Sequence, residues 1–513
     1  MTLALAGAAL CFSAHAADTE IERVRATTTR LINLLVEQGL LTRARAVALL
    51  KELDSPAAPV ATAPATTAVP APTPTPAPAT TVRVPYVPEF VRKEIKDELR
   101  SELAAQAARE GWAGPGVVPA WVRSLRWEGD LRSRVQADNF DSANKEAFSI
   151  TDTNRDNRLK LANTTVDRQR LRVRARLGVT VSADDHWGGS VRLTTGSTTD
   201  PLSSNQTLGS YGNRFTTAFD RAFIRYRQGS SFNVVAGRFG NPWFGTDLVW
   251  ANDLSFDGVA AQWTPAVGNW GRAFVTAAAM PVQEVELSSA DKWLYGIQAG
   301  MEWPGRGLVS GRVGLAYYHY ANLLGKANAA GSKLNDFSAP AFAQKGNTYF
   351  NISTDPEKPV LMALASDYRL VNLTGSIDML TIGQKHLVLT ADVVRNVGFK
   401  QAEVSARFPP GTTVTPETAG YLLRASLGDA DVDALHKWQV FFSYKRVERD
   451  AVLDAFTDSD LRGGGTDIKG YSLGASYGLA KNTSATLRWL SGDAITGAPL
   501  SQDTLHVDLL LRF

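Results

Sequence analysis

Polar and apolar residues alternate along many segments of this chain, and the last segment shows the pattern most simply. From Thr504 to Phe513 the odd positions are apolar and most even positions are polar; the apolar set is Leu505, Val507, Leu509, Leu511 and Phe513, and the polar set includes His506, Asp508 and Arg512. Successive side chains of a β-strand point to opposite faces, so this pattern predicts a strand with one apolar face. An aromatic residue at the carboxyl end is typical of the closing strand of an outer-membrane barrel, and we expect Phe513 to act as an assembly signal.

The same pattern recurs upstream. Between Leu125 and Asp138 seven consecutive even positions are polar, and between Arg170 and Val181 four arginines alternate with apolar residues. Fourteen further candidate strands bring the total to sixteen; they are centred near Val191, Ile224, Val234, Val259, Val275, Ile297, Val313, Leu373, Leu389, Leu423, Val440, Leu473, Leu487 and Leu509. Tight turns alternate with long polar connections, as in barrels with short periplasmic turns and long outer loops.

Hydropathy decides between the two ways of crossing a membrane. The 513 residues are 44% hydrophobic, with a mean hydropathy of -0.14, and they contain no apolar run of roughly 18 residues, which excludes a helical membrane protein. A closed barrel exposes only half of each strand to lipid. We therefore predict an all-β fold, a transmembrane antiparallel β-barrel of about 16 strands, located in the outer membrane of a Gram-negative bacterium. Its last strand should pair with its first, bringing Asp508 and Arg512 beside the polar row from Arg126 to Asp138.

The residues before the barrel divide by composition. We predict a signal peptide at 1–16, a helical hairpin at 17–54, a Pro/Ala/Thr-rich linker at 55–88, an amphipathic helix at 89–110 and a second linker at 111–124, ahead of the barrel at 125–513. We expect this front region to lie in the periplasm. The amphipathic helix is either an oligomerising coiled-coil element or a helix docked on the barrel rim.

Charge is nearly balanced overall but unevenly distributed. Lys plus Arg number 54 against 51 Asp plus Glu, which argues against a nucleic-acid-binding protein. If the apolar faces meet lipid, twelve arginines of the first five strands point inward: Arg126, Arg132, Arg134, Arg170, Arg172, Arg174, Arg176, Arg192, Arg221, Arg225, Arg227 and Arg238. Facing lipid, each would cost roughly 2–4 kcal/mol at the bilayer midplane. Such an inner surface would favour anionic solutes.

The segment from Phe239 to Ser255 follows the fifth strand, and we predict that it folds into the barrel as a constriction loop. It carries Asp247 and Asp253, which we expect to face part of the arginine surface and to create a transverse field. The alternative is that the arginines are structural and pair with acids inside the barrel, namely Glu128, Asp130, Asp138, Asp392 and Asp508.

Catalytic and metal-binding patterns are weak. The six His residues show no metal-ligand spacing, and no nucleophile motif such as Gly-x-Ser-x-Gly occurs. We therefore expect no cofactor, no metal and no enzymatic activity. The leading hypothesis is a passive diffusion channel for small hydrophilic solutes with anion preference. The alternative is an outer-membrane anchor whose front region tethers the cell wall.

Several motifs resemble one known family, the bacterial putative porins, which are distant relatives of the phosphate-selective porins. The resemblance rests on Gly237–Trp243, Leu248–Ser255, Asp257–Val259, Arg395–Asn396, Tyr444–Ala451, Phe456–Leu461 and the terminal Phe513, with Glu37–Thr42 in the front region. It covers most of Leu125 to Phe513. The resemblance implies passive diffusion through a homotrimeric barrel inserted in outer-membrane lipid by the barrel-assembly machinery, and it says little about the solute.

Overall fold

The computed structural model describes residues 124–286, 288–305, 309–355 and 360–513. The predicted signal peptide, helical hairpin, both linkers and the amphipathic helix all lie outside these residues, apart from Ser124. Within the described residues, no helix is long and apolar enough to span a membrane.

The main sheet has eighteen strands, of which two contain only two residues, Gln206–Thr207 and Ala266–Val267. The other sixteen form an antiparallel barrel and match the sixteen predicted strands one for one. In chain order they are β1 Arg126–Phe140, β2 Arg168–Ser182, β3 Trp187–Thr195, β4 Thr217–Gln228, β5 Phe232–Gly240, β6 Ser255–Trp263, β7 Gly271–Gln283, β8 Lys292–Trp303, β9 Val309–Ala321, β10 Arg369–Leu380, β11 His386–Asn396, β12 Ala419–Gly428, β13 Trp438–Val447, β14 Ile468–Ala480, β15 Thr483–Ala494 and β16 Ser501–Arg512.

The barrel closes between its first and last strands, as predicted. β1 pairs with β16 over eleven residues on each strand, with Arg134 opposite Asp508 and Asp130 opposite Arg512. Phe513 continues the seam, because its backbone exchanges hydrogen bonds of 2.9 and 3.1 Å with Gly129. The Phe513 ring covers Gly129 so closely that a Cβ there would lie 2.5 Å from the ring. Glycine at this position therefore lets the terminal ring lie flat on the outward face.

Exposure shows which face meets lipid. On β1 and β2 the apolar side chains Leu131, Val135 and Leu171 are 46, 49 and 55% exposed, whereas Arg134 and Arg174 on the alternate positions are 3 and 6% exposed. Apolar residues are exposed and charged ones are covered, the reverse of a soluble sheet. The inward face is therefore the polar one.

The connections alternate in length around the barrel. Seven short connections join the even-numbered strands to the next strand, and eight longer loops join the odd-numbered strands to the next. We number the longer loops in chain order: loop 1 (141–167), loop 2 (196–216), loop 3 (241–254), loop 4 (284–291), loop 5 (322–368), loop 6 (397–418), loop 7 (448–467) and loop 8 (495–500).

Small elements occur within the loops. Loop 1 holds helix α1 (Ile150–Asp156), and loop 6 holds helix α2 (Gln401–Ser405). Short 3-10 helices occur at Asp336–Ser338, Ile382–Gln384 and Leu461–Gly463. Two small hairpins pair Ala147–Phe148 with Leu161–Ala162 and Tyr349–Asn351 with Met362–Leu364.

The apolar core lies inside the barrel, where loops pack on the inner wall. Trp250 of loop 3 is 1% exposed and contacts Tyr318 of β9, with ring centroids 5.0 Å apart and rings nearly perpendicular. Phe456 of loop 7 packs beside the same indole, at 6.4 Å. Perpendicular aromatic pairs of this kind add to the stabilisation from burial. Loops 3 and 7 are thus held as fixed parts of the lumen.

Candidate functional site: the charged lumen

The inward arginines of the first four strands form one continuous surface, here called the arginine wall. Strand register places Arg132 directly opposite Arg174, Arg134 opposite Arg172, and Arg192 opposite Arg221. Eleven of the twelve predicted arginines lie on this inward face: Arg126, Arg132, Arg134, Arg170, Arg172, Arg174, Arg176, Arg192, Arg221, Arg225 and Arg227. Like charges directly across a strand pair are destabilising unless something compensates them.

The inward orientation predicted for Arg238 is wrong. Arg238 lies opposite Ala222 on one side and Asp257 on the other. Its face is that of Ile224 and Val259, which are 62 and 49% exposed. The Arg238 guanidinium pairs instead with Asp257, at 2.8 Å, on the outer surface of the barrel. Val234 and Ala236 share this parity in the sequence, so alternation within the strand already indicated an outward position.

About half of the arginine wall is compensated by carboxylates. Asp130 accepts hydrogen bonds from both Arg174 and Arg176, at 2.8 and 2.6 Å. Asp508 holds Arg134 with two contacts of 2.6 and 2.8 Å, the bidentate geometry that arginine favours. Two further pairs complete this set: Arg170 with Asp138 and Arg192 with Asp220. Of the acids proposed as structural partners, Asp130, Asp138 and Asp508 fill that role, whereas Glu128 and Asp392 form no ion pair with the wall in the described part of the chain.

The remaining arginines lack carboxylate partners among the described residues. Arg132 donates to the Asn205 side-chain oxygen at 2.6 Å. Arg172 donates to Gln136 and Ser203, at 3.0 and 3.2 Å. Arg221 forms no ion pair within the described residues, and its guanidinium lies against the backbone of Gly240. The Nε atoms of Arg132, Arg172 and Arg221 are all buried without a hydrogen-bond acceptor. Here the wall keeps a net positive charge and spare donors.

Loop 3 crosses the lumen in front of this wall. Gln298 of β8 fixes its start, accepting from the Phe244 backbone N–H at 2.8 Å and donating to the Phe244 carbonyl at 2.7 Å. Asp392 of β11 accepts from the Thr246 hydroxyl at 2.7 Å and from its N–H at 3.1 Å. These bonds satisfy backbone groups that an unsupported loop inside a barrel would leave unpaired. The loop is therefore rigidly attached to the wall formed by β8–β11.

Asp253 at the other end of loop 3 faces the arginine wall. Its carboxylate lies 3.4 Å from Arg174 and 3.5 Å from Arg176, and it accepts a hydrogen bond of 2.7 Å from Ser204. Burial by itself would raise the pKa of Asp253, but the Arg174 charge and the Ser204 hydrogen bond outweigh burial and hold that pKa below its ordinary value. Asp253 therefore remains a fixed negative charge opposite the wall.

Asp247 does not face the arginine wall as predicted. It pairs with Arg424 of β12 and lies 3.4 Å from Lys445 of β13, on the far side of the barrel. Burial acts to raise the pKa of Asp247, but these two cations together lower it to about 2. Asp253 lies six positions after Asp247, so their Cα atoms are at most roughly 20 Å apart when the chain is fully extended. One short segment thus connects the two walls, which narrows the lumen between them.

Loop 7 supplies two more acids, one to β13 and one to β15, which only β16 separates from β1. Asp458 lies 2.6 Å from Lys445, and Asp460 pairs with Arg488 of β15 and lies 3.6 Å from Arg134. We call Arg424, Lys445 and Arg488 the opposite cations. Each has at least one loop carboxylate in contact, and together they border a polar cavity of about 270 Å³.

The prediction from sequence missed the opposite cations and their acids. The signal for the cations was present, because Gln439, Ser443 and Lys445 alternate with outward Val440 and Phe442. The signal for their partners was absent. Asp247 and Arg424 are 177 positions apart, and no local pattern reveals which acid a loop will bring to which strand.

The chain is similar to a known family and to several solved structures. A family model described as "Putative porin" matches residues 25–513. No curated protein matches the chain. Among solved structures, OprB of Pseudomonas putida is 13% identical, with 76% of this chain and 95% of that chain covered and a TM-score of 0.46. The channel DcaP of Acinetobacter baumannii is 10% identical, with 76% and 97% covered and a TM-score of 0.41. The trimer form of OmpT of Vibrio cholerae is 10% identical, with 76% and 99% covered and a TM-score of 0.38.

Proposed function

Because this chain belongs to the putative porin family, we propose that it is an outer-membrane diffusion channel for small hydrophilic solutes, with a preference for anions. Family membership and the sixteen-stranded barrel support the channel. We infer the anion preference from the charges that line the lumen.

The observation that carries the preference is the set of arginines without carboxylates. Arg132 and Arg172 lie on the paired strands β1 and β2, and Arg221 lies on β4, beyond β3; each has a buried Nε that has no acceptor. A buried guanidinium without a counter-ion is costly, and a passing anion lowers that cost by accepting its free donors. Asp253 contacts the compensated pair Arg174 and Arg176, and within the described residues it forms no ion pair with Arg132, Arg172 or Arg221.

Two measurements test this function. Liposome swelling with sized sugars and organic acids should show solute entry, and faster entry for organic anions than for sugars of equal size. In planar bilayers under a potassium chloride gradient, the reversal potential should indicate chloride preference. Cation preference that persists when Arg172 and Arg174 are neutralised would reject the anion preference, and absence of swelling with every solute would reject the channel.

The assembly expectations rest on the family alone. A homotrimer is expected from the family and is tested by cross-linking in native membranes. Recognition of Phe513 by the barrel-assembly machinery is tested by removing that residue and following insertion. Tethering to the cell wall by the front region stays a prediction. Deleting 17–120 should abolish envelope attachment if it is a tether, while channel conductance should persist.

A further inference from the structure

A second cavity lies outside the arginine wall, at a place where the pairing between two strands of the barrel is interrupted. β6 pairs with β7 only from Val259 to Trp263, whereas all of β6 from Ser255 onward pairs with β5. On the other side, Met280 and Pro281 of β7 pair with β8. Pro281 has no backbone N–H, so it cannot donate to a neighbouring strand. The pairing of β6 with β7 therefore has a gap before Val259, at the end of the barrel that carries the long loops, although Gly258 still packs against Met280 and Pro281.

This gap leads into a cavity of about 200 Å³. Its lining includes residues of both faces of the wall: Phe256 and Met280 from the inward face, and Asp257 and Pro281 from the outward face. The cavity therefore lies where the β6–β7 pairing ends, so that residues of both faces reach it. Arg238 and Asp257, with 36 and 52% of their side chains exposed, mark its outer mouth.

The interior of the cavity is apolar with a single buried cation. Its body is formed by strand residues and by loops 3, 5 and 7, and includes Leu254, Phe256, Met280, Leu294, Phe342 and Phe456. Lys292 is 1% exposed and also lines the cavity. Its ammonium donates to the Gln283 side-chain oxygen at 3.0 Å and to the Ala339 carbonyl at 3.1 Å. An ammonium has three donors, so one N–H remains.

Lys292 has no carboxylate within ion-pair distance in the part of the chain that the structure describes. Elsewhere in the lumen, the equally buried Lys445 is matched by two acids. A buried ammonium without a counter-charge is strongly disfavoured. A cavity of roughly 150 Å³ lined by aliphatic side chains holds a benzene ring, so the present volume suits a single ring with one small polar group and is too small for a lipid.

We propose that this cavity is a binding site for a small apolar carboxylate of the size of benzoate. The ring lies among Phe256, Met280 and Leu294, and the carboxylate accepts the free N–H of Lys292. The site is separate from the arginine wall, and it does not depend on the selectivity proposed for the lumen.

The test uses the purified full chain in detergent and ¹⁹F NMR titration with two probes of one shape, 4-fluorobenzoate and the neutral 4-fluorobenzyl alcohol. Lys292→Met should weaken 4-fluorobenzoate binding by roughly tenfold or more and leave the alcohol nearly unchanged, because only the carboxylate uses the ammonium. Lys326→Met, which removes an exposed lysine of loop 5, is the matched control and should change neither.

Ala455→Leu provides a second variant that keeps Lys292 and fills the cavity instead. It should weaken both probes. The proposal is overturned if wild-type protein shows no saturable 4-fluorobenzoate binding. It is also overturned if Lys292→Met and Lys326→Met weaken 4-fluorobenzoate binding equally, or if Ala455→Leu binds both probes like wild type. Loss of 4-fluorobenzoate binding in Arg132→Gln/Arg172→Gln but not in Lys292→Met would also overturn the proposal. That result would place the carboxylate on the arginine wall.

Discussion

Two walls of one barrel treat positive charge in opposite ways. On β12–β15 the three opposite cations each contact an acid delivered by loop 3 or loop 7. On β1–β4 there are fewer contacting acids per arginine, and Arg132, Arg172 and Arg221 contact none among the described residues. A buried ion pair between a loop acid and a wall cation holds the loop in place, because removing either member leaves the other charge buried and unpaired. Uncompensated charge facing a lumen is available to a solute. We therefore propose that the same residue chemistry serves structure on one wall and selectivity on the other.

The largest expected effect comes from removing the two carboxylates that contact Lys445 on the far side of the barrel. Asp247→Asn with Asp458→Asn leaves Lys445, which is 5% exposed, without either acid. Breaking a buried pair from one side costs about 3–5 kcal/mol, so the double variant should lose its folded electrophoretic mobility at a lower temperature than wild type. Adding Lys445→Met removes the stranded ammonium and should restore most of that loss. Unchanged thermal stability in the double variant would show that these acids do not anchor the loops.

A pH effect should follow from loop 7 itself. Asp454 is fully buried, and burial raises its pKa to about 7, even though the Tyr349 hydroxyl donates to it at 2.9 Å. When loop 7 is packed on loop 5, the Asp454 carboxyl keeps a proton that an exposed aspartate would lose. Unpacking of the loop releases this proton, so the packing of loop 7 on loop 5 weakens as pH rises from about 4 to about 7. The free energy that holds loop 7 on loop 5 should fall by roughly a few kcal/mol over this pH range.

Hydrogen exchange of residues 344–350, corrected for intrinsic rates, measures this effect. Protection should fall between pH 5 and pH 8 in wild type and fall less in Asp454→Asn, whose amide does not ionise. Some dependence should remain, because burial also raises the pKa of Asp450, which accepts hydrogen bonds from Thr348 in the same segment. Equal pH dependence in both proteins would locate the titrating group elsewhere.

A smaller effect on stability but a clear one on selectivity is expected at Asp253. Arg174 and Arg176 keep Asp130 as partner when Asp253 becomes Asn, so stability should change by about 1 kcal/mol or less. The arginine wall would gain one net positive charge. The reversal potential in a potassium chloride gradient should then shift further toward chloride. An unchanged reversal potential would mean that Asp253 does not act on the permeating ion.

The smallest effect is expected at Arg238. Its ion pair with Asp257 is on the outer surface, where such pairs contribute about 0–1 kcal/mol. Arg238→Gln should leave both thermal stability and reversal potential close to wild type. A changed reversal potential would place this guanidinium in the permeation path after all.

Sequence alternation predicted much of this arrangement, because parity in a strand is a local property. It placed the arginines of β1 and β2 on one inner face and brought Asp508 beside the polar row from Arg126 to Asp138 across the seam. In the structure Arg132 lies opposite Arg174, and Asp508 lies opposite Arg134. Where the rule was not applied within one strand, at Arg238, the prediction was wrong.

Two other features could not be predicted locally. A bulge at Asp220 inserts one residue between Phe219 and Arg221, and it allows Asp220 to pair with Arg192. The partner of Asp247 depended on how loop 3 packs through Trp250 against Tyr318, a tertiary contact with no sequence period.

The most direct test of the contrast between the two walls is the reversal potential of two matched variants in a potassium chloride gradient. Arg132→Gln/Arg172→Gln/Arg221→Gln removes three uncompensated charges, and Arg424→Gln/Asp247→Asn removes a compensated pair from the opposite wall. The account predicts that the triple variant loses most of the chloride preference of the wild type, while the pair variant keeps it. Cation preference in the wild type, or equal shifts in the two variants, would contradict it.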